Sequence, residues 1–193
     1  MKKILLAALL LSTSTVFAQK SAVLQALKKY NVNEDVLSTN LKGNLEKYPH
    51  EVQRTVTLNE KDKVYISTFD PNKQDPPQWT LVSVNGKSPS KGEQNAFTKE
   101  HDMKLDFKID ENTLQVAKDD GSVLEINYQY DPTSLDKDHQ FLKDCLYTLH
   151  INAKTGRLEK MTEINLKDVK IKILKVTKIA TTVNYRYIDK DKI

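Results

Sequence analysis

The feature that most restricts the fold is the alternation of apolar and polar residues in the last third of the chain, from Phe141 to Ile188. A period of two is typical of a β-strand with one buried face and one solvated face. The first predicted strand carries five residues on its apolar side: Phe141, Cys145, Tyr147, Leu149 and Ile151. Three more antiparallel strands are predicted at Leu158 to Leu166, Val169 to Val176 and Thr181 to Tyr187. Other parts of the chain have to cover the apolar side of such a sheet.

The strand expected at Val169 to Val176 has an irregular pattern. The apolar residues first occupy odd-numbered positions, at Val169, Ile171 and Ile173. They then change to even-numbered positions, at Leu174 and Val176. A β-bulge near Ile173 and Leu174 explains the change, and bulges bend sheets. The sequence therefore predicts that the sheet curls at this strand.

The middle of the chain adds further strands, separated by turn signals such as Asn85-Gly86 and Asp120-Gly121. A tight turn is also predicted at Ala153-Lys-Thr-Gly156, with glycine where a positive φ is needed. The strands are predicted at Glu51 to Leu58, Lys63 to Phe69, Gln78 to Val84, Lys104 to Ile109, Leu114 to Ala117 and Leu124 to Tyr130.

Three stretches have helical character. Ser21 to Tyr30 places apolar residues at helical spacing with Ser21 as the cap, and a second helix is expected over roughly Glu34 to Tyr48. Ser90 and Glu93 form a capping-box pattern, so a third helix is expected to begin there and run toward Glu100. The predicted fold class is α+β, a curved antiparallel sheet covered by N-terminal and mid-chain helices.

The first 18 residues predict a secretory signal peptide. Lys2 and Lys3 precede an apolar block, Ile4 to Leu11, that is too short to span a bilayer, and Ala18 is a small residue suited to cleavage before Gln19. We therefore expect a periplasmic or secreted bacterial protein with no transmembrane segment. Residues 1–18 are interpreted as the signal peptide and residues 19–193 as one domain, since this length suits a single core.

The charge balance argues against nucleic acid as a partner. The chain has 30 Lys and Arg residues and 26 Asp and Glu residues. Removal of Lys2 and Lys3 leaves 30 − 2 = 28 basic residues, which is a net charge of +2. Phosphate binding needs a concentrated basic surface. A chain with nearly equal numbers of basic and acidic residues does not predict one.

One stretch resembles a known group of proteins. Trp79-Thr-Leu-Val-Ser-Val-Asn-Gly-Lys-Ser-Pro-Ser, followed by Glu93, is similar to a motif of an exported bacterial family. In that family a Trp-x-Leu strand runs into an Asn/Asp-Gly-Lys turn, and Pro-Ser/Thr and a helix follow. Those proteins look like the LolA/LolB superfamily of periplasmic lipoprotein carriers. The order of helices and strands expected here is also similar to that superfamily.

The resemblance implies a strongly curved, half-open barrel with helices closing its open side and an apolar cavity between them. In carriers of this type the cavity holds acyl chains, and a buried Arg locks the lid. Three Arg residues are candidates for that role here: Arg54, Arg157 and Arg186. The implied function is a periplasmic carrier of an acyl or lipoprotein-like ligand.

Apolar residues from several predicted elements are candidates for the cavity wall, since a concave apolar pocket is the usual site for a small ligand. The equally open alternative is a core filled by these same side chains, because their burial is favourable with or without a ligand. The candidates are Trp79, Leu81, Phe97, Phe107, Tyr128, Tyr147, Leu149, Ile171 and Ile173.

Three polar groups have both a functional and a structural interpretation. His101, between Glu100 and Asp102, has the surroundings of a general base, but a solvated helix end explains it as well. Asp136, Asp138 and His139 have oxygen and nitrogen ligands for a cation, but the spacing favours a charged turn. The lysines from Lys167 to Lys178 suit anionic headgroups, but also an ordinary polar strand face.

No sequence motif indicates catalysis. The chain has no Gly-x-Ser-x-Gly, His-Glu-x-x-His, Cys-x-x-Cys or phosphate loop, and Cys145 is interpreted as a small buried hydrophobe. We therefore expect a binding protein that is not an enzyme and that uses no metal and no cofactor. The expected partners are lipid or lipoprotein acyl chains, or a periplasmic protein. The alternative function is an exported protein-interaction module with a filled core, and a hydrolase or lyase using His101 or His139 ranks third.

Overall fold

The computed structural model describes residues 19–38, 47–73, 78–102, 106–171 and 174–188. The predicted signal peptide, residues 1–18, lies outside these ranges. Among the described residues, no helix has both the length and the apolar character needed to cross a membrane.

The described residues form ten strands and two α-helices. Helix α1 covers residues 19–29, and helix α2 is Lys91–Asp102. The strands are β1 (His50–Leu58), β2 (Lys61–Phe69), β3 (Trp79–Val84), β4 (Gln115–Asp119), β5 (Val123–Tyr128), β6 (Cys145–Asn152), β7 (Leu158–Asn165), β8 (Val169–Ile171), β9 (Leu174–Val176) and β10 (Ile179–Tyr187).

Eight strands form one antiparallel sheet in the order β3-β2-β1-β10-β7-β6-β5-β4. The α+β class and the large antiparallel sheet are therefore confirmed. The sheet does not close, because β3 and β4 lie at its two edges. The last described strand, β10, lies in the middle between β1 and β7, and this placement joins the two halves of the sheet.

The predicted first hairpin forms, but its turn is shorter than the four residues, 59–62, that the predicted strands leave between them. Strands β1 and β2 pair from His50 opposite Phe69 to Leu58 opposite Lys61, and a two-residue turn joins them. Both turn residues, Asn59 and Glu60, have positive φ angles of 46° and 69°. Such a turn matches the twist of the two strands that it connects.

The predicted helices are partly correct. Helix α1 already includes residues 19 and 20, so Ser21 lies inside the helix and is not its cap. The helix expected over Glu34 to Tyr48 is a single 3-10 turn at Glu34–Leu37 where it is described. Asn33 caps that turn by accepting a hydrogen bond from the Asp35 N–H at 3.0 Å. Residues 39–46 lie outside the described ranges, and residues 47–49 are not helical.

Two strand predictions fail for local reasons. Phe141 lies in a 3-10 helix, Gln140–Asp144, and the strand begins at Cys145. The two residues are four apart, and one helical turn satisfies that spacing as well as a strand does. The strand expected at Lys104 to Ile109 reduces to a single bridge between Ile109 and Tyr130 within the described residues.

The bulge proposed near Ile173 and Leu174 is wrong. Strands β8 and β9 form a separate two-stranded hairpin in which Val169 pairs with Val176 and Ile171 with Leu174. The apolar pattern changes parity because the chain reverses there. Ile173 itself lies outside the described residues.

The main core lies on one side of the sheet, beneath α1. Residues on the inner side of β5 and β6 pack against Val23, Ala26 and Leu27 of α1. In β6 the burial alternates without exception, and the odd-numbered residues from Cys145 to Ile151 are the buried ones. The period-two pattern of the C-terminal third therefore predicts the buried face correctly in this strand.

Candidate functional site

A cavity of about 370 Å³ lies between α2 and the inner faces of β1, β2, β3 and β10. Most of its wall is aromatic or aliphatic, and its polar groups come from the strands and from α2. The lining residues are Val52, Arg54, Lys63, Tyr65, Ser67, Trp79, Glu93, Ala96, Phe97, Glu100, His101, Val183 and Tyr185.

This cavity and the main core share one face of the sheet. Residues that pair across neighbouring antiparallel strands point to the same side. Val183, in the cavity wall, pairs with Arg54 on one side and Met161 on the other, and Met161 pairs with Leu149 of the core. The inner face is therefore filled in the half beneath α1 and open in the half beneath α2.

The low apolar content of α2 accounts for the open half. Among the residues of this helix that line the cavity, only Ala96 and Phe97 are apolar. Helix α1, in contrast, buries Val23, Ala26 and Leu27 in the core. One small and one large apolar side chain leave space over four strands.

A capping box fixes the start of α2, as the sequence predicts. Glu93 accepts hydrogen bonds from the Ser90 N–H at 3.0 Å and the Ser90 hydroxyl at 2.9 Å, and Ser90 Oγ accepts the Glu93 N–H at 3.3 Å. These bonds from Ser90, followed by the bond from Lys63, lower the pKa of Glu93 to about 2. The Glu93 carboxylate therefore stays ionised at neutral pH.

Two ion pairs connect α2 to the sheet across the cavity. The Lys63 ammonium lies 3.1 Å from the Glu93 carboxylate near the start of the helix. Nearer its end, Arg54 Nη1 pairs with the Glu100 carboxylate. Arg54 and Lys63 both lie over the Tyr65 ring, at 5.6 and 5.2 Å from its centroid. Because these side chains are partly exposed, each pair stabilises the helix position only modestly.

An aromatic cluster forms one end of the cavity. The His101 ring lies 4.0 Å from Phe97 and 4.9 Å from Trp79, measured between centroids. Behind Trp79, the His50 ring lies at 5.6 Å and Phe69 at 5.0 Å. Trp79 is the only tryptophan in the chain, so its fluorescence reports directly on this site.

His50 is fully buried in that cluster, and its role was not predicted from the sequence. Its Nδ1 lies 2.8 Å from the Tyr48 carbonyl, so Nδ1 carries a proton that it donates there. Its Nε2 has no hydrogen-bond partner in the described part of the chain. Burial lowers the pKa of His50 below its usual value of 6.5, which keeps the ring neutral at neutral pH.

The main core contains four of the nine residues predicted for the cavity wall, and three of the four lie on β5 and β6. Tyr128, Tyr147 and Leu149 are buried in the main core. The Tyr128 and Tyr147 rings stack with their centroids 5.2 Å apart, and the Tyr147 hydroxyl donates to Glu163 at 3.1 Å. Burial raises the pKa of Tyr147 well above its ordinary value. These side chains fill space that the sequence analysis assigned to a ligand.

The other predicted wall residues divide as follows. Trp79 and Phe97 line the cavity. Leu81 is buried within β3, and Phe107 belongs to the main core at its edge, against Tyr130. Ile171 pairs with Leu174 in the small hairpin, which forms a sheet of its own, and Ile173 lies outside the described residues.

The polar candidates have structural explanations. Glu100 pairs with Arg54, and the His101 ring nitrogen Nδ1 donates to the Phe97 carbonyl at 2.9 Å. His139 Nδ1 lies 2.8 Å from Asp136 in an exposed turn. No group of three metal-ligating side chains occurs in the residues that the structure describes.

Cys145 is buried, as the sequence analysis expected. Burial raises the pKa of its thiol to about 12, so the thiolate that a nucleophile requires does not form at neutral pH. The described geometry therefore supports the structural interpretation of this cysteine.

A second, wider hollow of about 860 Å³ lies near α1 and residues 106–114. Six carboxylates surround it, and its floor includes Leu24 and Phe107. It borders Ser38 and Asp106, next to residues that lie outside the described ranges. The carboxylates are those of Glu34, Asp35, Asp106, Asp110, Glu111 and Asp131.

Two charged residues line the cavity although the sequence analysis did not assign them to its wall, and they have a recognisable sequence signal. Arg54 lies between Val52 and Val56 on the inner parity of β1, and Lys63 lies opposite Val56 on β2. A charged residue on the buried side of a strand is unusual, and it needs a partner. Here those partners come from α2.

The fold and the site together define an α+β protein with an open antiparallel sheet and an aromatic-lined cavity beneath one helix. Comparison of the sequence with protein-family models gives no match, and comparison with curated proteins gives none.

Proposed function

We propose that this protein is a periplasmic carrier of an acyl ligand, of the LolA/LolB type, and that the ligand occupies the cavity beneath α2. The observation that carries the proposal is the cavity itself, at about 370 Å³ and lined by Trp79, Phe97 and Tyr185. Ligand sites are typically apolar hollows of about 300–1,000 Å³ with a few polar groups. The sheet is then a half-open barrel, with α1 filling one half and α2 roofing the other.

The ion pair between Arg54 and Glu100 supports the same proposal. Among the three arginine candidates, Arg54 is the one in the cavity wall. It joins the sheet to the roof helix, which is the place that a lid-locking arginine requires. Arg186 pairs instead with Glu51 across β1 and β10 at 3.0 Å, on the opposite side of the sheet from Arg54.

The location is part of the proposal. Residues 1–18 are then a signal peptide that is removed on export. Amino-terminal sequencing of the protein recovered from the periplasmic fraction is expected to begin at Gln19. A protein that retains Lys2 and Lys3 in the cytosol contradicts the periplasmic assignment.

The ligand test uses mature protein purified from its host. Native mass spectrometry is expected to find a bound lipid, and a fluorescent fatty acid is expected to bind. Ala96→Phe places a large side chain in the cavity, so it is expected to weaken binding about tenfold or more. Asn95→Phe is the matched control, since Asn95 is an exposed neighbour on α2 that does not line the cavity.

The absence of any bound lipid together with no binding of the fatty acid ends the carrier proposal. Equal loss of binding in Ala96→Phe and Asn95→Phe moves the binding site elsewhere. Retention of full affinity in Ala96→Phe does the same.

A second candidate function is an exported protein-interaction module. Exposed apolar side chains favour it: Val82 on the edge strand β3 is 48% exposed, Ile164 on β7 46% and Leu166 56%. Isolated apolar residues are common on protein surfaces, so the cavity carries more weight. Purification of one stoichiometric protein partner whose binding is lost on Ile164→Lys favours this module over the carrier.

A further inference from the structure

We propose that the ligand is a single-chain amphiphile with an anionic headgroup, and that Arg54 binds that headgroup. This inference rests on the proposed function, because it takes the cavity beneath α2 as the ligand site. It adds the charge of the ligand, the number of its chains and the residue that recognises it.

The position of Arg54 is the first observation. It lies in the middle of β1, paired with Tyr65 of β2 and Val183 of β10, so three strands fix its backbone. Its guanidinium lies 5.6 Å from the centre of the Tyr65 ring, and the side chain is 37% exposed. A cation is therefore held in the cavity wall, between the wall residues Tyr65 and Val183 on the two neighbouring strands.

The second observation is an excess of hydrogen-bond donors at the cavity. A guanidinium has five N–H donors, and the pair with Glu100 engages Nη1. In the described part of the chain, no other carboxylate pairs with Arg54, which leaves the donors of Nη2 and Nε for an incoming acceptor.

The third observation is that Glu93, the other carboxylate of the site, already has partners on both of its oxygens. Glu93 accepts both hydrogen bonds of Ser90 with one oxygen and pairs with Lys63 through the other. Glu100, in contrast, is 46% exposed and pairs with Arg54 through one oxygen. A ligand carboxylate or phosphate with two oxygens offers Arg54 a bidentate partner, which a guanidinium prefers.

The size of the cavity indicates one chain. Its volume of about 370 Å³ is near the lower end of the range for small-molecule sites. Neutral amphiphiles leave the donors of Arg54 without an acceptor. For a cationic headgroup, the two carboxylates of the wall, Glu93 and Glu100, are already paired with Lys63 and Arg54.

The test measures binding by the fluorescence of Trp79, with ligands kept below their micellar concentrations. Laurate, dodecyl phosphate and dodecanol share one chain length and differ in the headgroup. At least one of the two anions is expected to bind about tenfold more tightly than dodecanol, since a hydrogen bond to a charged group is worth that factor or more. Preference for laurate identifies a carboxylate, and preference for dodecyl phosphate identifies a phosphate ester.

Two variants and one control assign the effect to Arg54. Arg54→Gln is expected to remove the preference for anions, measured as the ratio of anion affinity to dodecanol affinity within the same variant. Glu100→Gln is expected to strengthen anion binding, because it removes the competing carboxylate. Arg186→Gln makes the same change on the opposite side of the sheet and is expected to have no effect. Added salt is expected to weaken anion binding only.

The outcomes separate this inference from the proposed function. Equal affinity for dodecanol and both anions in the native protein overturns the headgroup inference while the carrier proposal stands. Failure of all three ligands to bind overturns both. If Arg54→Gln does not fold, the anion affinity of Glu100→Gln tests the role of Arg54 instead. Weaker or unchanged anion binding in Glu100→Gln refutes that role.

Discussion

Replacement of Gly156 by alanine is expected to destabilise the protein because this residue touches the end of α1. Gly156 lies in the turn between β6 and β7 with a φ of +66°, and a Cβ added there lies 2.9 Å from the Tyr30 carbonyl oxygen. Ordinary contact begins near 3.4 Å, so the helix end or the turn has to move by about 0.5 Å. Leu27, one turn earlier in α1, is 1% exposed, and its packing resists that movement.

The cost has two parts. A left-handed backbone costs a residue with a Cβ about 1–2 kcal/mol. Alanine also lowers the conformational entropy of the unfolded chain relative to glycine, which offsets about 0.4–1 kcal/mol of that cost. Crowding in a packed contact adds about 1–3 kcal/mol. Gly121→Ala is the matched control, because Gly121 has a φ of +77° and nothing within 4 Å of an added Cβ. The difference between the two variants therefore measures the contact with α1 alone.

Urea unfolding followed by far-ultraviolet circular dichroism gives both free energies of unfolding. Gly156→Ala is expected to lose about 1–3 kcal/mol more than Gly121→Ala. A difference below about 0.5 kcal/mol, the size of an ordinary surface substitution, refutes the account of how the β6–β7 turn supports α1.

Three further predictions concern two histidines, the start of α2 and the packing of α1. Burial lowers the pKa of both His50 and His150 below 6.5 in the folded protein. As the pH falls, these histidines therefore become protonated at a higher pH in the unfolded chain than in the folded protein. The free energy of unfolding is expected to be highest above about pH 7 and to decrease as the pH falls through 6.5, by at most about 1.4 kcal/mol per pH unit for each histidine. His50→Phe is expected to reduce that dependence in denaturation measured at pH 5 and pH 8. Ser90→Ala removes the cap of α2, at a cost of about 1 kcal/mol, and is expected to raise the pKa of Glu93, measured by NMR titration, from about 2 toward its usual 4.5. Leu27→Ala is expected to cost about 2–5 kcal/mol in thermal or urea unfolding, since this side chain is almost fully buried between α1 and the sheet.

Each of these has an opposite outcome that counts against it. An unchanged pH dependence in His50→Phe assigns the proton uptake to His150 or to other groups. A Glu93 pKa that stays near 2 in Ser90→Ala means that the backbone N–H of residue 90 and the Lys63 ammonium lower it without the Ser90 hydroxyl. A loss below about 1 kcal/mol in Leu27→Ala contradicts the packing of α1 as the cover of the filled half.

The two halves of the sheet differ in whether their inner face is filled or open. The same inner face is packed beneath α1 and open beneath α2. Helix α2 has mainly polar residues and contributes Ala96 and Phe97 to the cavity, whereas α1 contributes three side chains to the buried core. The difference between the two helices decides which half of the inner face is filled and which is open.

Local patterns predicted much of the fold, and their failures have local causes. The alternation in β6 and β10, the turn at Asn85-Gly86 and the capping box at Ser90 all correspond to observed structure. The region from Val169 to Val176 did not, because a parity change has two explanations, a bulge and a chain reversal. Which one occurs depends on pairing partners, and those are not visible in the local sequence.

The sequence by itself determined which residues alternate into and out of a sheet, where the chain turns and where α2 begins, because these depend on neighbours within a few positions. Only the tertiary structure decided the order of the strands, which inserts β10 between β1 and β7. It also decided that Tyr147 fills the core while Trp79 borders a cavity. Both are large residues on strands, and their roles differ because different helices cover them.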